Sequence, residues 1–106
     1  MRIKVIIKRP DEEYGHMTHI SDTLENLQKT VEGHIEILPL GRGVIAVLNE
    51  QGKILGLDPN MKVPGDILVG TIVLCGTSGE DLADIPISFQ EWKEMKDNLE
   101  GKVIRT

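Results

Sequence analysis

The strongest constraint on the fold is an apolar run at residues 67–75, which only Gly70 and Thr71 interrupt. Valine, isoleucine and threonine are frequent in this run, and their branched side chains favour extended backbone over helix. Because the run is nearly continuous rather than alternating, it predicts a strand that is buried on both faces. We therefore expect a central strand at residues 67–75, followed by a polar, glycine-rich turn.

Shorter segments on both sides of this run also predict strands. Each is rich in apolar residues and is bounded by glycine, proline, asparagine or aspartate, which favour turns. These strands are expected at residues 2–8, 16–20, 34–40, 44–48 and 53–57. Aromatic residues make up only 3% of the chain, so the core that the strands bury must be aliphatic.

Two helices are expected, at residues 24–32 and 89–100. Each begins with a capping-box pattern, in which Asp22 or Ser88 is followed three residues later by a glutamate. A glycine follows each helix directly, at the position where a left-handed residue commonly ends a helix. Both segments carry a narrow apolar stripe, which is typical of a helix that covers a sheet.

The order of these elements predicts the fold class. Most strands follow one another through short turns, rather than alternating with helices. This grouping favours an α+β fold with a mostly antiparallel sheet of about five to six strands and two covering helices. The chain has 106 residues, enough for one hydrophobic core. We expect a single domain over residues 1–106, with a core at 1–85 and a C-terminal helix and tail at 86–106.

The acidic composition opposes two classes of partner. The formal net charge is −5. Nucleic-acid binding relies on lysine and arginine to neutralise phosphates, and attraction to anionic membranes also requires basic clusters. We therefore expect neither a nucleic acid nor a membrane as the partner.

Cys75 is the only cysteine, which argues against an intramolecular disulfide and against a zinc site built from cysteine pairs. Its place in the apolar run predicts a small buried side chain rather than a reactive thiol. The apolar segment near Met1 is too short for a signal peptide. These features fit a protein of a reducing cytoplasm.

No residue pattern supports catalysis. His16 and His19 are three apart on a predicted strand and so lie on opposite faces, which weakens a metal pair. The acid pairs at residues 12–13 and 80–81 lack an adjacent apolar stretch that would raise a carboxyl pKa for acid–base work. No phosphate loop or nucleophile elbow is present. We therefore predict no catalytic residue, no metal site and no cofactor.

The best candidate binding site is the polar turn after the central strand, with Thr77, Ser78, Gly79, Glu80 and Asp81. Glycines allow backbone N–H groups to turn toward a ligand, and the two hydroxyls add donors and acceptors. The acids would repel a bare phosphate, but they suit a ribose, an amine or a basic protein surface. The simpler alternative is a tight turn whose acids face water.

A second candidate consists of Asn49 and Asn60, which lie on polar turns on either side of residues 53–57. Asparagine side chains in turns often hydrogen-bond nearby backbone and tolerate left-handed geometry. A structural role for both asparagines is therefore the stronger interpretation, and ligand or partner binding is the alternative.

Three blocks of the sequence together resemble a family of small domains of unknown function found in phages, plasmids and bacillus-like or clostridia-like bacteria. The blocks are TLENLQKTVEGHIE, LNEQGKILGLDPN and DILVGT followed by GTSGED, and they occur in this order over residues 1–85. The resemblance implies a small accessory protein of a mobile element that acts in the bacterial cytoplasm. The family has no established catalytic residues, so it implies none here.

These observations lead to two functional hypotheses. The first is a non-enzymatic accessory protein that binds a host or phage protein, with the countering of a host defence as a candidate role. The second is an oligomeric sponge that sequesters a nucleotide-like signalling molecule, and it rests on analogy with other small phage proteins. The first predicts a protein partner, and the second predicts a small anionic or nucleotide ligand.

Overall fold

The computed structural model describes residues 1–101, and the predicted tail at residues 102–106 lies outside this range. In chain order, the elements are β1 (Arg2–Lys8), β2 (His16–Ser21), α1 (Leu24–Val31), β3 (Ile35–Gly41), β4 (Val44–Asn49), β5 (Pro59–Val63), β6 (Asp66–Val69), β7 (Ile72–Ser78), β8 (Asp81–Ala83) and α2 (Phe89–Leu99).

The main sheet has the strand order β2-β1-β7-β4-β3, and β8 pairs with the end of β7. All of these pairings are antiparallel. Leu74 of β7 lies opposite Ile6 on one side and Ala46 on the other, so β7 is the central strand. The predicted α+β class, with a mostly antiparallel sheet and two helices, is confirmed.

The side chains of β7 explain why its sequence is apolar without alternation. Ile72 and Leu74 face one side of the sheet, Val73 and Cys75 face the other, and all four are fully buried. Successive residues of a strand point to opposite faces, so a strand that is covered on both faces needs apolar residues throughout. Burial raises the pKa of the Cys75 thiol to about 11, which agrees with the predicted structural role.

Each face of the sheet has its own cover. On one face, α1 packs Leu27 and Val31 against apolar residues of β1, β4 and β7. On the other face, α2 and the β5–β6 hairpin cover the sheet, and Trp92 of α2 is fully buried. The Trp92 indole N–H donates a hydrogen bond to the backbone oxygen of Tyr14 at 2.8 Å, so burial leaves this polar group satisfied.

The start of one helix follows the predicted pattern and the other does not. Ser88 caps α2 in a complete capping box with Glu91, as predicted. In α1 the cap is Thr23, whose hydroxyl accepts a hydrogen bond from the Asn26 N–H at 3.2 Å. The predicted cap, Asp22, instead pairs with the N-terminal amine.

Of the helices in the described part of the chain, neither is long and apolar enough to cross a membrane.

Two predicted elements are wrong in an informative way. The run at residues 67–75 is not one strand, because Gly70 adopts a left-handed backbone with φ of 76° and divides it. The part before Gly70 forms β6, which pairs with β5 in a separate two-stranded sheet. The predicted strand at residues 53–57 is a series of turns, in which the Leu57 N–H bonds the Gly52 oxygen at 2.9 Å.

Candidate functional site

The predicted site residues 77–81 form the tip of a protruding hairpin. Thr77 and Ser78 end β7, Gly79 and Glu80 make the turn, and Asp81 begins β8. Ser78 lies opposite Asp81 in the register, and all five residues are exposed. Gly79 has φ of 63°, so the tight turn is present. The hairpin therefore brings the five predicted residues together on an exposed turn.

An open depression of about 700 Å³ lies beside this hairpin and includes Ser78 and Asp81. Two further acids in its lining already have partners. The Asp84 carboxylate accepts a hydrogen bond from the Lys4 N–H at 2.8 Å, and Asp22 pairs with the N-terminal amine at 3.1 Å. These bonds connect the start of β1 to the loop after β8 and to Asp22, so we assign both acids a structural role.

Asn49 has a structural role at the end of α1. Its side-chain amide donates hydrogen bonds to the backbone oxygens of Val31 and Glu32, each at 3.2 Å. Its side-chain oxygen accepts a bond from the Gln51 N–H at 2.8 Å. Glu32 takes the left-handed conformation that the sequence predicted for Gly33. Gly33 is required for another reason, since a Cβ there would lie 2.6 Å from the Asn49 amide nitrogen.

Asn60 joins three parts of the structure. Its amide donates to the backbone oxygens of Lys8 and Gly70, at 2.7 and 2.8 Å. Its side-chain and backbone oxygens accept hydrogen bonds from the Lys8 ammonium at 2.8 and 3.1 Å. Within residues 1–101, no hydrogen bond links Asn49 or Asn60 to the hairpin tip at 77–81. The structure thus separates the two predicted candidates and uses both asparagines as backbone supports.

The sequence analysis missed a buried ionic cluster around Lys8. This side chain is 1% exposed, and burial, reinforced by the nearby Lys96 charge, lowers its pKa to about 8, although Glu100 acts in the opposite direction. Lys96 is also buried, pairs with Glu100 at 2.6 Å and lies 4.9 Å from the centre of the Tyr14 ring. The sequence pattern that could have predicted the burial of Lys8 is its spacing, because it lies two residues after Ile6 and therefore on the same face of β1. Because both lysines of the cluster are buried, we assign the cluster a structural role.

A groove at the β3 edge is the second feature that the sequence analysis missed. Its volume is about 170 Å³, and it lies between β3, the turns at residues 50–57 and β6. Leu38, Leu48 and Leu68 contribute apolar side chains to its lining. The lining also includes Asn49, which is one of the predicted site residues, and four charged side chains: Glu36, Glu50, Lys53 and Asp66.

Exposed apolar side chains surround this groove. Ile54 and Ile67 line it and are 86% and 45% exposed, and the next residue after Ile54, Leu55, is 58% exposed. We call these three residues the apolar rim. Exposed apolar clusters on small proteins often mark interaction sites. The rim was missed because its members lie in the two wrongly predicted elements, the strand at 53–57 and the undivided strand at 67–75, where burial was expected.

The fold and the groove define the class of protein: an α+β domain whose antiparallel sheet is covered on both faces and has an open groove at one edge. The chain belongs to a family described as Domain of unknown function (DUF3846), which matches residues 1–99. The predicted membership in a domain family of unknown function is therefore confirmed. No curated protein and no solved structure matches this chain.

Proposed function

We propose that this protein is a non-enzymatic accessory domain that binds a partner protein through the β3 groove and its apolar rim. The observation that carries the proposal is that the exposed Ile54 and Ile67 line one groove and that the exposed Leu55 follows Ile54 directly in the chain. Apolar side chains that are held in water by a defined turn favour association, because contact with a partner removes their surface from water.

The hairpin tip at residues 77–81 is the second element of the proposed binding surface. Glu80 and Asp81 are exposed there, and the chain as a whole carries a net charge of −5. Such a surface would attract a basic partner over a distance and mainly raise the rate of association. The proposed setting is a bacterial cytoplasm in which the domain acts for a phage or another mobile element, and this part rests on the sequence resemblance.

The experiment starts with affinity capture from a bacterial lysate, followed by purification of the captured protein and measurement of its Kd. Ile54→Ser and Leu55→Ser should each weaken binding by about tenfold or more, as expected for an apolar interface anchor. The matched control is Leu24→Ser, because Leu24 is 56% exposed, close to the value for Leu55, but lies on α1 on the opposite face of the sheet.

Equal binding by the rim variants and wild type would reject the groove as the interface. If heating the purified protein released a nucleotide, the alternative hypothesis of a sponge for a nucleotide-like signal would be favoured instead. Turnover of any substrate would reject the non-enzymatic proposal.

A further inference from the structure

The groove has a surplus of negative charge. Its lining carries the carboxylates of Glu36, Glu50 and Asp66 against the single ammonium of Lys53. Lys53 and Asp66 form an ion pair with each other. Within residues 1–101, neither Glu36 nor Glu50 forms an ion pair, and both are exposed. The groove therefore has two carboxylates available to a cationic ligand.

Most of the remaining lining is apolar, and it also includes the buried amide of Asn49. Leu38, Leu48 and Leu68 line the same groove as the two carboxylates. A ligand that satisfies both parts needs an apolar stem that ends in a positive charge. Arginine and lysine side chains have this structure, since their methylene stems pack on apolar surface while the charged end bonds to carboxylates.

The surroundings of the groove favour a polypeptide over a free cation. The apolar rim extends beyond the cavity, so a ligand limited to the cavity would leave most of Ile54 in water. The groove also adjoins β3, which is an edge strand with one strand partner among the described residues. Pro39 removes a backbone donor from this edge, so a partner segment would be held more by side chains than by a full backbone ladder.

The geometry points to a defined occupant: an arginine or lysine side chain from an extended, apolar segment of the partner protein, seated in the β3 groove between Glu36 and Glu50. This inference rests on the proposed function and adds the chemistry of the partner. A second copy of this chain is a poor occupant, because each copy carries a net charge of −5 and the groove is itself acidic.

The test uses a displayed library of random linear peptides selected on the purified domain. We expect the selected peptides to share an arginine or lysine between apolar residues. One selected peptide is then synthesised in two forms, with arginine or with its neutral isostere citrulline, and each Kd is measured at low and high salt. The citrulline form should bind about tenfold or more weakly, and salt should weaken only the arginine form strongly.

Protein variants separate the inference from the proposed function. The double variant Glu36→Gln and Glu50→Gln keeps shape and removes charge, so it should reduce arginine-peptide binding about tenfold and leave citrulline-peptide binding unchanged. The matched control is Glu25→Gln on α1, which should have no effect. Loss of binding with Ile54→Ser but not with the glutamine variants would overturn the basic-side-chain inference and keep the groove as the interface.

Three further outcomes would overturn the inference. Selection of peptides without a shared basic residue would reject the predicted chemistry of the occupant. A dimer in sedimentation measurements that Ile54→Ser dissociates would mean that a second copy occupies the groove. If neither the rim variant nor the glutamine variants changed binding, the groove and the proposed function would both be rejected.

Discussion

The two halves of the apolar run at residues 67–75 have similar compositions but differ in how completely they are buried. In β7, Ile72 is fully buried, whereas in β6 Ile67 is 45% exposed. The difference lies in their neighbours: β7 pairs with β1 and β4 and is covered on both faces, but among residues 1–101 the only strand partner of β6 is β5. An apolar sequence therefore indicates a tendency to be buried. Whether a strand is buried within the folded chain depends on how many strands and helices pack against it.

The most direct test of this comparison uses the same substitution in both halves. Ile72→Ala should reduce the free energy of unfolding by about 2–5 kcal/mol, because it leaves a cavity in the closed core. Ile67→Ala should cost less than about 1 kcal/mol, because its side chain is already partly in water. Chemical denaturation of both variants measures the difference. Equal losses would show that β6 is as closely packed as β7.

A second test addresses the residue that divides the run. Gly70 has a left-handed backbone, and a Cβ there would lie 2.8 Å from a methyl carbon of Leu57. Gly79 is also left-handed, but the space around it is open. Gly70→Ala should therefore lower the free energy of unfolding by roughly 1–3 kcal/mol, and Gly79→Ala by about 1 kcal/mol. Both substitutions strain a left-handed backbone, but only the one at Gly70 also crowds Leu57.

The midpoints of chemical denaturation measure both losses, provided that the dependence of the unfolding free energy on denaturant concentration is the same for wild type and variants. A cost at Gly79 that equals or exceeds the cost at Gly70 would contradict the role of crowding. No cost at either position would remove backbone strain as the reason for the break.

A third test concerns Lys8, whose bonds to Asn60 connect β1 to the β5–β6 hairpin. Burial lowers the pKa of Lys8 to about 8 in the folded protein, below its ordinary value of 10.5. At a pH between these two pKa values, the unfolded chain binds more protons than the folded protein, so the free energy of unfolding rises with pH. Below about pH 8, Lys8 is protonated in both states and this rise is absent. From pH 7 to 8.5 the gain should be somewhat less than about 1 kcal/mol.

The matched variant is Lys8→Met, which keeps the stem and removes the titrating group. Its stability should lack the Lys8 contribution to the rise with pH, so the difference between wild type and variant isolates that contribution. Cys75 acts in the opposite direction at higher pH, because burial raises the pKa of its thiol to about 11. The measurement therefore stops at pH 8.5. Identical pH profiles for the two proteins would contradict the lowered pKa of Lys8.

The smallest expected effect on stability is at the hairpin tip. Glu80→Lys combined with Asp81→Lys should change the free energy of unfolding by at most about 0.5 kcal/mol, because both side chains are exposed. The same change should slow association with a basic partner, most clearly at low salt. Stopped-flow binding measures that rate. An unchanged rate would leave the β3 groove as the whole of the proposed binding surface.

The sequence predicted much of the fold because most of its signals are local. The turns, the capping box at Ser88 and the continuous apolar character of β7 can each be recognised from residues that are close together in the sequence. The site was predicted less well. Residues 77–81 are exposed together as expected, but Asn49 and Asn60 support the backbone, and neither the Lys8 cluster nor the β3 groove was recognised.

The sequence by itself determined the α+β class, the central position of β7 and the aliphatic core. Tertiary structure alone decided the division at Gly70, where the left-handed backbone sends β6 to pair with β5 instead of continuing β7. It also decided that Ile54 and Ile67 line one groove with Glu36 and Glu50, because these residues lie on separate elements. The physical reason is that exposure depends on which surfaces the rest of the chain covers, and apolar residues look the same in the sequence whether or not they are covered.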